Sequence, residues 1–132
     1  FLTTGRGLEL SFRELEVWNY ALDLVERVYA ISQSFPKNEE YGLALQMRKA
    51  AVSIPSNIAE GNGRWYSKDY VRFLYMSRGS LMELLTQIEI ARRLGYLSKR
   101  DYDDLLERIK KIHMMLNRLI NSIKQRSPTN KH

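Results

Sequence analysis

The chain has no cysteine, two histidines and three prolines in 132 residues. The missing cysteines exclude disulfides, zinc fingers, iron–sulfur ligation and thiol catalysis, and they make a reducing cytoplasm the expected compartment. Of the two histidines, His132 is terminal and His113 sits beside an apolar stripe, where a partly buried or interface role is the ordinary one. There is no Glu-x-x-His pair, so the di-iron site of helical bundles is absent. No H-E-x-x-H, phosphate-cradling glycine loop or Gly-x-Ser-x-Gly occurs either. Glu83 and Glu89 stand too far round a helix to share a metal, and Asp101, Asp103 and Asp104 cluster where a helix dipole alone favours them. The expectation is a non-enzyme with no cofactor and no metal. No apolar run approaches the roughly 18–20 residues that cross a bilayer, so no membrane partner is expected. The opening "FLTTGRGLEL" lacks the pattern of a signal peptide. Residues 1–10 read as a flexible or non-native leader, residues 11–125 as one domain, and residues 126–132 as a flexible tail.

What the chain does have is positive charge in one half. The formal net charge is +6. Residues 1–61 hold 6 Lys and Arg against 8 Asp and Glu, whereas residues 62–132 hold 15 against 7. A polyanion partner is the first physical reading of that asymmetry, and solvated helix faces are the plain alternative.

Four amphipathic segments follow, and nothing reads as a strand. The first is expected to open on Ser11 and Glu14 as a capping box. Its stripe is Leu15, Trp18, Leu22, Val25 and Tyr29, ending at Phe35-Pro36. The second starts near Glu39, with Leu43, Met47, Ala50, Ile54 and Ile58 in its stripe and Gly61 as a C-cap. The third starts at Ser67 and carries Tyr70, Phe73/Leu74, Ser77, Leu81, Leu84/Leu85, Ile88 and Ala91 before Gly95. The fourth starts at Ser98 and carries Leu105, Ile109, Ile112, Leu116, Leu119 and Ile123. Four helices of roughly 22–28 residues with short connections predict an all-α, antiparallel up-down-up-down four-helix bundle.

The stretch "SIPSNIAEGNGRWYSKDY" (Ser53–Tyr70) is unusual for such a bundle. Pro55 deprives the Ala51 carbonyl of its helical donor, and its small neighbours suit a kink against a closely packed helix. Gly61, Asn62 and Gly63 read as the turn between the second and third helices. Arg64, Lys68 and Arg72 then recur at i, i+4 and i+8, beside Trp65 and Tyr66. Cations interleaved with aromatics suit nucleic acid, the charges on phosphates and the rings on bases. The two rings equally suit a lid over the bundle end or a subunit contact. Arg108, Lys111 and Arg118 form a second basic set on the fourth helix; Arg92, Arg93, Lys110 and Lys124 are further basic positions.

"RKAAVSIPSNIAEGNGRWYSKDYVRFLYMSRGSLMELLTQIEIARRLGYL" (Arg48–Leu97) closely resembles the four-helix-bundle family of 23S rRNA intervening-sequence proteins, and "FRELEVWNYALDLVERVY" (Phe12–Tyr29) is similar to that family's first helix. The similarity runs from about Phe12 to Gln125. It implies a small bundle that assembles into a homo-oligomeric ring, usually a pentamer. A related protein, the accessory variability protein of diversity-generating retroelements, is a basic pentamer that binds a reverse transcriptase and its template RNA. Within the motif, Asn57, Glu60, Gly61 and Arg64 suggest a polar corner, with a Glu60–Arg64 pair bridging the turn. The expectation is a non-catalytic oligomeric adaptor that binds RNA through Arg64, Lys68 and Arg72, then Arg108, Lys111 and Arg118, with a reverse transcriptase as a possible protein partner. Asn57, Glu60, Gly61, Trp65 and Tyr66 are assigned to structure or to subunit contacts. The alternative is a ring-type scaffold whose basic face meets an acidic protein and has no nucleic-acid role.

Overall fold

The computed structural model describes residues 10–126; most of the expected leader (1–9) and the tail from 127 onward lie outside the described residues. Four helices follow in order: α1 (Glu16–Ser32), α2 (Leu43–Asn62), α3 (Ser67–Arg93) and α4 (Lys99–Arg126). Each packs against its chain neighbours, and α4 closes back on α1, while the backbones of the diagonal pairs α1–α3 and α2–α4 do not approach closely. The bundle is therefore a square in which the α2/α3 seam and the α1/α4 seam are opposite edges. The helices are less even than expected, with 17 and 20 residues in α1 and α2 against 27 and 28 in α3 and α4.

The core is mainly apolar, with Ser77 and Gln87 among its few buried polar side chains. Leu24, Met47, Ile54, Leu74, Leu81, Leu84, Leu105, Ile112 and Leu116 are among its fully buried side chains. The expected stripes of α2, α3 and α4 point inward, with Leu43, Leu85 and Leu119 only partly buried. In α1 the expected face is wrong by one position. Val17, Ala21, Leu24, Val28 and Ile31 fill the core, whereas Leu15, Trp18 and Val25 flank it and Tyr29 is exposed. Both sets follow the 3-4 spacing of a helix face, so periodicity alone could not rank them.

The helix ends also correct the sequence reading. Ser11–Glu14 is a separate 3-10 turn, and α1 begins after Leu15 with no side-chain cap. The Ser11 hydroxyl donates instead to Asn62 Oδ1 at 2.9 Å, and Asn62 Nδ2 donates to the Tyr70 hydroxyl at 3.0 Å, so Asn62 joins the entry to α1, the end of α2 and the start of α3. At the other end of the bundle, Glu39 lies in a 3-10 turn before α2 rather than in its first turn. Its Oε1 accepts from the Leu43 N–H at 3.1 Å, and its Oε2 accepts from the Tyr96 hydroxyl at 2.9 Å. The carboxylate thus satisfies one orphan amide of α2 and ties α2 to the α3–α4 connection. Gly95 ends α3 at φ +80°, with the Tyr96 N–H bonded to the Ala91 carbonyl at 2.9 Å, the closure expected of a glycine C-cap. Ser98 caps α4 as expected, its Oγ accepting from the Asp101 N–H at 3.1 Å.

Candidate nucleic-acid interface

The residues from Ser53 to Tyr70 build the tightest seam of the molecule, that between α2 and α3. The helix runs unbroken through buried Pro55. Small side chains on both helices then allow close approach. Ser53 and Ser80 share a hydroxyl hydrogen bond of 2.8 Å, and buried Ser77 donates to the Ile54 carbonyl at 2.9 Å. That hydroxyl serves the carbonyl of Ile54, next to the proline, and not that of Ala51, whose helical donor Pro55 removes. Asn57 belongs to the same seam: its Nδ2 donates to the Ser53 carbonyl and hydroxyl at 2.9 and 3.0 Å. It takes no part in the polar corner with Glu60 and Arg64.

Gly61 is a helix residue and not a C-cap. Its importance is space: a Cβ there would lie 2.7 Å from the Phe73 Cβ and 3.1 Å from the Tyr70 ring and carbonyl. Gly63, which ends the helix, stays in the right-handed region at φ −82°. The turn after it is closed by the Arg64 N–H on the Gly61 carbonyl at 3.0 Å.

That close approach sets Phe73 against the turn, and two cations converge on it. The guanidinium carbons of Arg64 and Arg72 stand 4.7 and 4.6 Å from the centre of the one Phe73 ring. A ring between or beneath two guanidiniums attracts both, and it holds like charges less than roughly 10 Å apart. The expected Glu60–Arg64 pair is present at 2.7 Å, and Asp69 stands 3.8 Å from Arg72. Both pairs are well exposed, so they orient the guanidiniums without removing them from solvent. Lys68 is exposed and has no ion pair or hydrogen bond among the described residues. Trp65 and Tyr66 are 69% and 48% exposed at the turn itself.

The same face of α3 continues into a cluster that the sequence reading missed. Arg78 stands 4.8 Å from the centre of the Tyr75 ring while its Nη1 donates to Asn117 Oδ1 at 2.7 Å. Lys124 of α4 donates to the Tyr75 hydroxyl at 2.9 Å. That hydrogen bond pulls the Tyr75 phenol below its ordinary range; burial works against it, and the charges of Lys124 and Arg78 reinforce it. The signal was present as Tyr75 and Arg78, three residues apart on one helix after Arg72. What periodicity could not supply was Lys124, which arrives from another helix.

The second expected set is elsewhere and is not equivalent. Arg108 Nε donates to Asp104 Oδ2 at 3.1 Å, and the same oxygen accepts from Arg27 Nε at 2.8 Å. Arg27 also reaches Asp101 at 3.2 Å. Burial, the largest single influence on Asp104, would push its carboxyl up, but the two guanidinium hydrogen bonds and their charges outweigh it and hold it low. Lys111 points over the Tyr20 ring at 5.5 Å, and Arg118 is exposed beside Leu15 and Glu16. All three therefore line the α1/α4 edge, opposite the α2/α3 seam. The structure brings Arg64, Lys68 and Arg72 together and does not join them to Arg108, Lys111 and Arg118.

Among the described residues no group of three or more His, Asp or Glu side chains could hold a metal, and no helix is long and apolar enough to cross a membrane. His113 is half-buried.

The family model described as 23S rRNA-intervening sequence protein matches residues 13–118, and the chain belongs to that family. The solved structure of a protein with unknown function from the S23 ribosomal protein family of Bacteroides thetaiotaomicron is similar in fold. Its TM-score is 0.74 at 19% identity, covering 80% of this chain and 95% of that one. No curated protein matches.

Proposed function

We propose that this member of the 23S rRNA-intervening sequence protein family is a non-catalytic, oligomeric RNA-binding adaptor that uses the α2–α3 end as its phosphate-binding surface. The observation that carries this reading is the convergence of Arg64 and Arg72 on the Phe73 ring, beside the uncommitted Lys68. Guanidiniums fixed on a ring lose less freedom on meeting phosphate than free ones, and the exposed Trp65 and Tyr66 offer faces to unstacked bases. Arg78, Tyr75 and Lys124 extend the surface along the α3/α4 seam. The family's name, which refers to 23S rRNA, fits an RNA partner.

The homo-oligomer, a pentameric ring in this proposal, is supported by two separate apolar faces. One is the groove of Phe12, Trp18, Leu22, Val25, Val52 and Pro55 between α1 and α2. The other is the outward face of α3, where Met76, Met82 and Ile90 are exposed. Rings larger than dimers need two different faces per protomer, one meeting the other on the next copy. Gly79 lies on that α3 face with nothing within 4 Å of where its Cβ would be. A helix-interior glycine costs about 1 kcal/mol relative to alanine, and a close approach from another chain would account for it. A ring also multiplies the basic surface around an axis, which focuses potential and leaves room for a protein partner such as a reverse transcriptase.

The test is fluorescence anisotropy with a structured RNA and a single strand across a salt series, on the oligomer isolated by size and weighed by light scattering. Sub-micromolar binding at low salt is expected. Three phosphate contacts on a single strand give a log–log salt slope of about −2 per engaged protomer. Charge reversal by Lys68→Glu with Arg72→Glu should abolish it. Absent binding at low salt would refute the RNA reading and leave the scaffold that meets an acidic protein.

A further inference from the structure

At the end of the bundle away from Arg64 and Arg72 there is a cleft of about 520 Å³ between the C-terminal turn of α1 and the start of α2. That lies in the size range of small-ligand sites. The floor is Arg48. It is half-buried, its Nε donates to the hydroxyl of buried Ser32 at 2.8 Å, and its guanidinium carbon stands 5.1 Å from the Tyr29 ring centre. Ser32 is itself anchored by donating to the Tyr29 carbonyl at 3.3 Å. Among the described residues, nothing accepts from the two Nη groups of Arg48, and no carboxylate pairs with it. A half-buried guanidinium so held, with its fork unmatched, is prepared for a bidentate anion. Lys37 adds a second cation to the lining, Glu40 an opposing carboxylate, and Tyr41, 84% exposed, a ring at the mouth.

We infer that this cleft binds a nucleoside monophosphate unit, with the phosphate on the Arg48 fork and Lys37 and the base stacked on Tyr41. The unit is either a free nucleotide or the 5′-phosphorylated end of a single-stranded RNA. The phosphate class follows from the fork and the second cation. The nucleobase follows from the exposed ring, because unstacked bases pack on tyrosine faces and guanidinium planes. Glu40, in the same lining, is a carboxylate that can accept from a donor edge of the base. The inference does not depend on the α2–α3 surface: Arg48 lies 14 residues before the end of α2 at Asn62, which separates the two sites by about 20 Å along the helix.

The test is calorimetric titration of the full chain with nucleoside 5′-monophosphates, the matching nucleosides, inorganic phosphate, and a short oligoribonucleotide with and without a 5′-phosphate. Binding by the phosphorylated forms alone is expected, weakened tenfold or more by Arg48→Gln and severalfold by Tyr41→Ala. Tyr41 is too exposed for that change to disturb the fold. Binding of the free nucleotide would identify a small-molecule site, and binding of the phosphorylated oligonucleotide alone would identify an RNA-end site. The Lys68→Glu/Arg72→Glu variant should bind normally here, which separates this site from the α2–α3 surface. The inference is overturned if neither phosphorylated form binds at millimolar concentration, if inorganic phosphate binds as tightly, or if binding survives both substitutions unchanged.

Discussion

Gly79 lies inside α3 and Gly61 in the last turn of α2, and replacing each by alanine separates backbone propensity from space. Alanine gains about 1 kcal/mol at Gly79, and at most that at Gly61, by restricting the unfolded chain and favouring the helix. At Gly79 nothing opposes the gain within one chain, because no atom lies within 4 Å of the new methyl. At Gly61 the methyl meets the Phe73 Cβ at 2.7 Å and the Tyr70 carbonyl at 3.1 Å. Neither is the far end of a flexible side chain, so α3 must move away from α2. Overpacking of this kind costs about 1–3 kcal/mol or more, and the seam's hydroxyl bonds add to the cost if they stretch. Gly61→Ala should therefore lower stability by about 1–2 kcal/mol net. In a domain of this size that is a fall of roughly 3–8 °C in Tm. Because Phe73 is the ring under Arg64 and Arg72, RNA affinity should fall with it. The assay is urea unfolding at fixed protein concentration, since the proposed assembly would make midpoints concentration-dependent. Gly79→Ala should raise the midpoint of the dissociated chain while weakening assembly. A Gly61→Ala protein as stable as its parent would refute the close approach from which the Phe73 platform is derived.

Two further outcomes follow from the polar contacts. Asp104 titrates below its ordinary range in the folded chain, so its stabilising contribution is present above the unfolded value and is lost as pH falls through the folded one. Asp104→Asn should accordingly be less stable than the parent near neutrality, and the gap should narrow as urea midpoints are followed from about pH 5 toward pH 2. A gap independent of pH would mean the Arg27 and Arg108 contacts act by packing alone. Ser77→Ala removes a fully buried hydroxyl from the Ile54 carbonyl beside Pro55, and the expected loss is about 1–2 kcal/mol in the same measurement. No loss would mean that the carbonyl is satisfied without it.

The bundle was legible in the sequence because three of its four helices carry one apolar stripe each, long enough for the period to be unambiguous. In α1 two adjacent stripes compete. The larger side chains, Leu15, Trp18, Leu22 and Val25, look like the core, but Trp18, Leu22 and Val25 are the flank that forms the α1/α2 groove, and Leu15 lies beside Met115 and Arg118 on the α4 side. Helix starts failed for a different reason. Ser11 and Glu39 have the right residue types for capping, yet each is drawn to a partner remote in sequence, Asn62 and Tyr96. Local patterns identify groups that want hydrogen bonds and say little about which partner wins. Gly61 failed likewise: a glycine near a helix end suggests a turn, whereas its reason for being glycine lies on the neighbouring helix.

The basic residues show how far charge in a sequence is from charge at a surface. Arg72 and Arg108 look alike on a helical wheel, each with an acidic residue within one turn. Their difference comes from the third partner. Arg72 meets an aromatic ring, which adds no negative charge and leaves the cation matched only by an exposed carboxylate at 3.8 Å. Arg108 meets an aspartate already drawn into a cluster with Arg27 across the α1/α4 seam, so its charge is largely engaged within the fold. Which cations stay available to a phosphate is decided by what the opposite helix presents, and that becomes visible only once the square of helices is closed. By the same criterion Arg48, spaced from no other basic stripe in the sequence, is a better anion site than Arg108: its ring and hydroxyl partners position it without neutralising it.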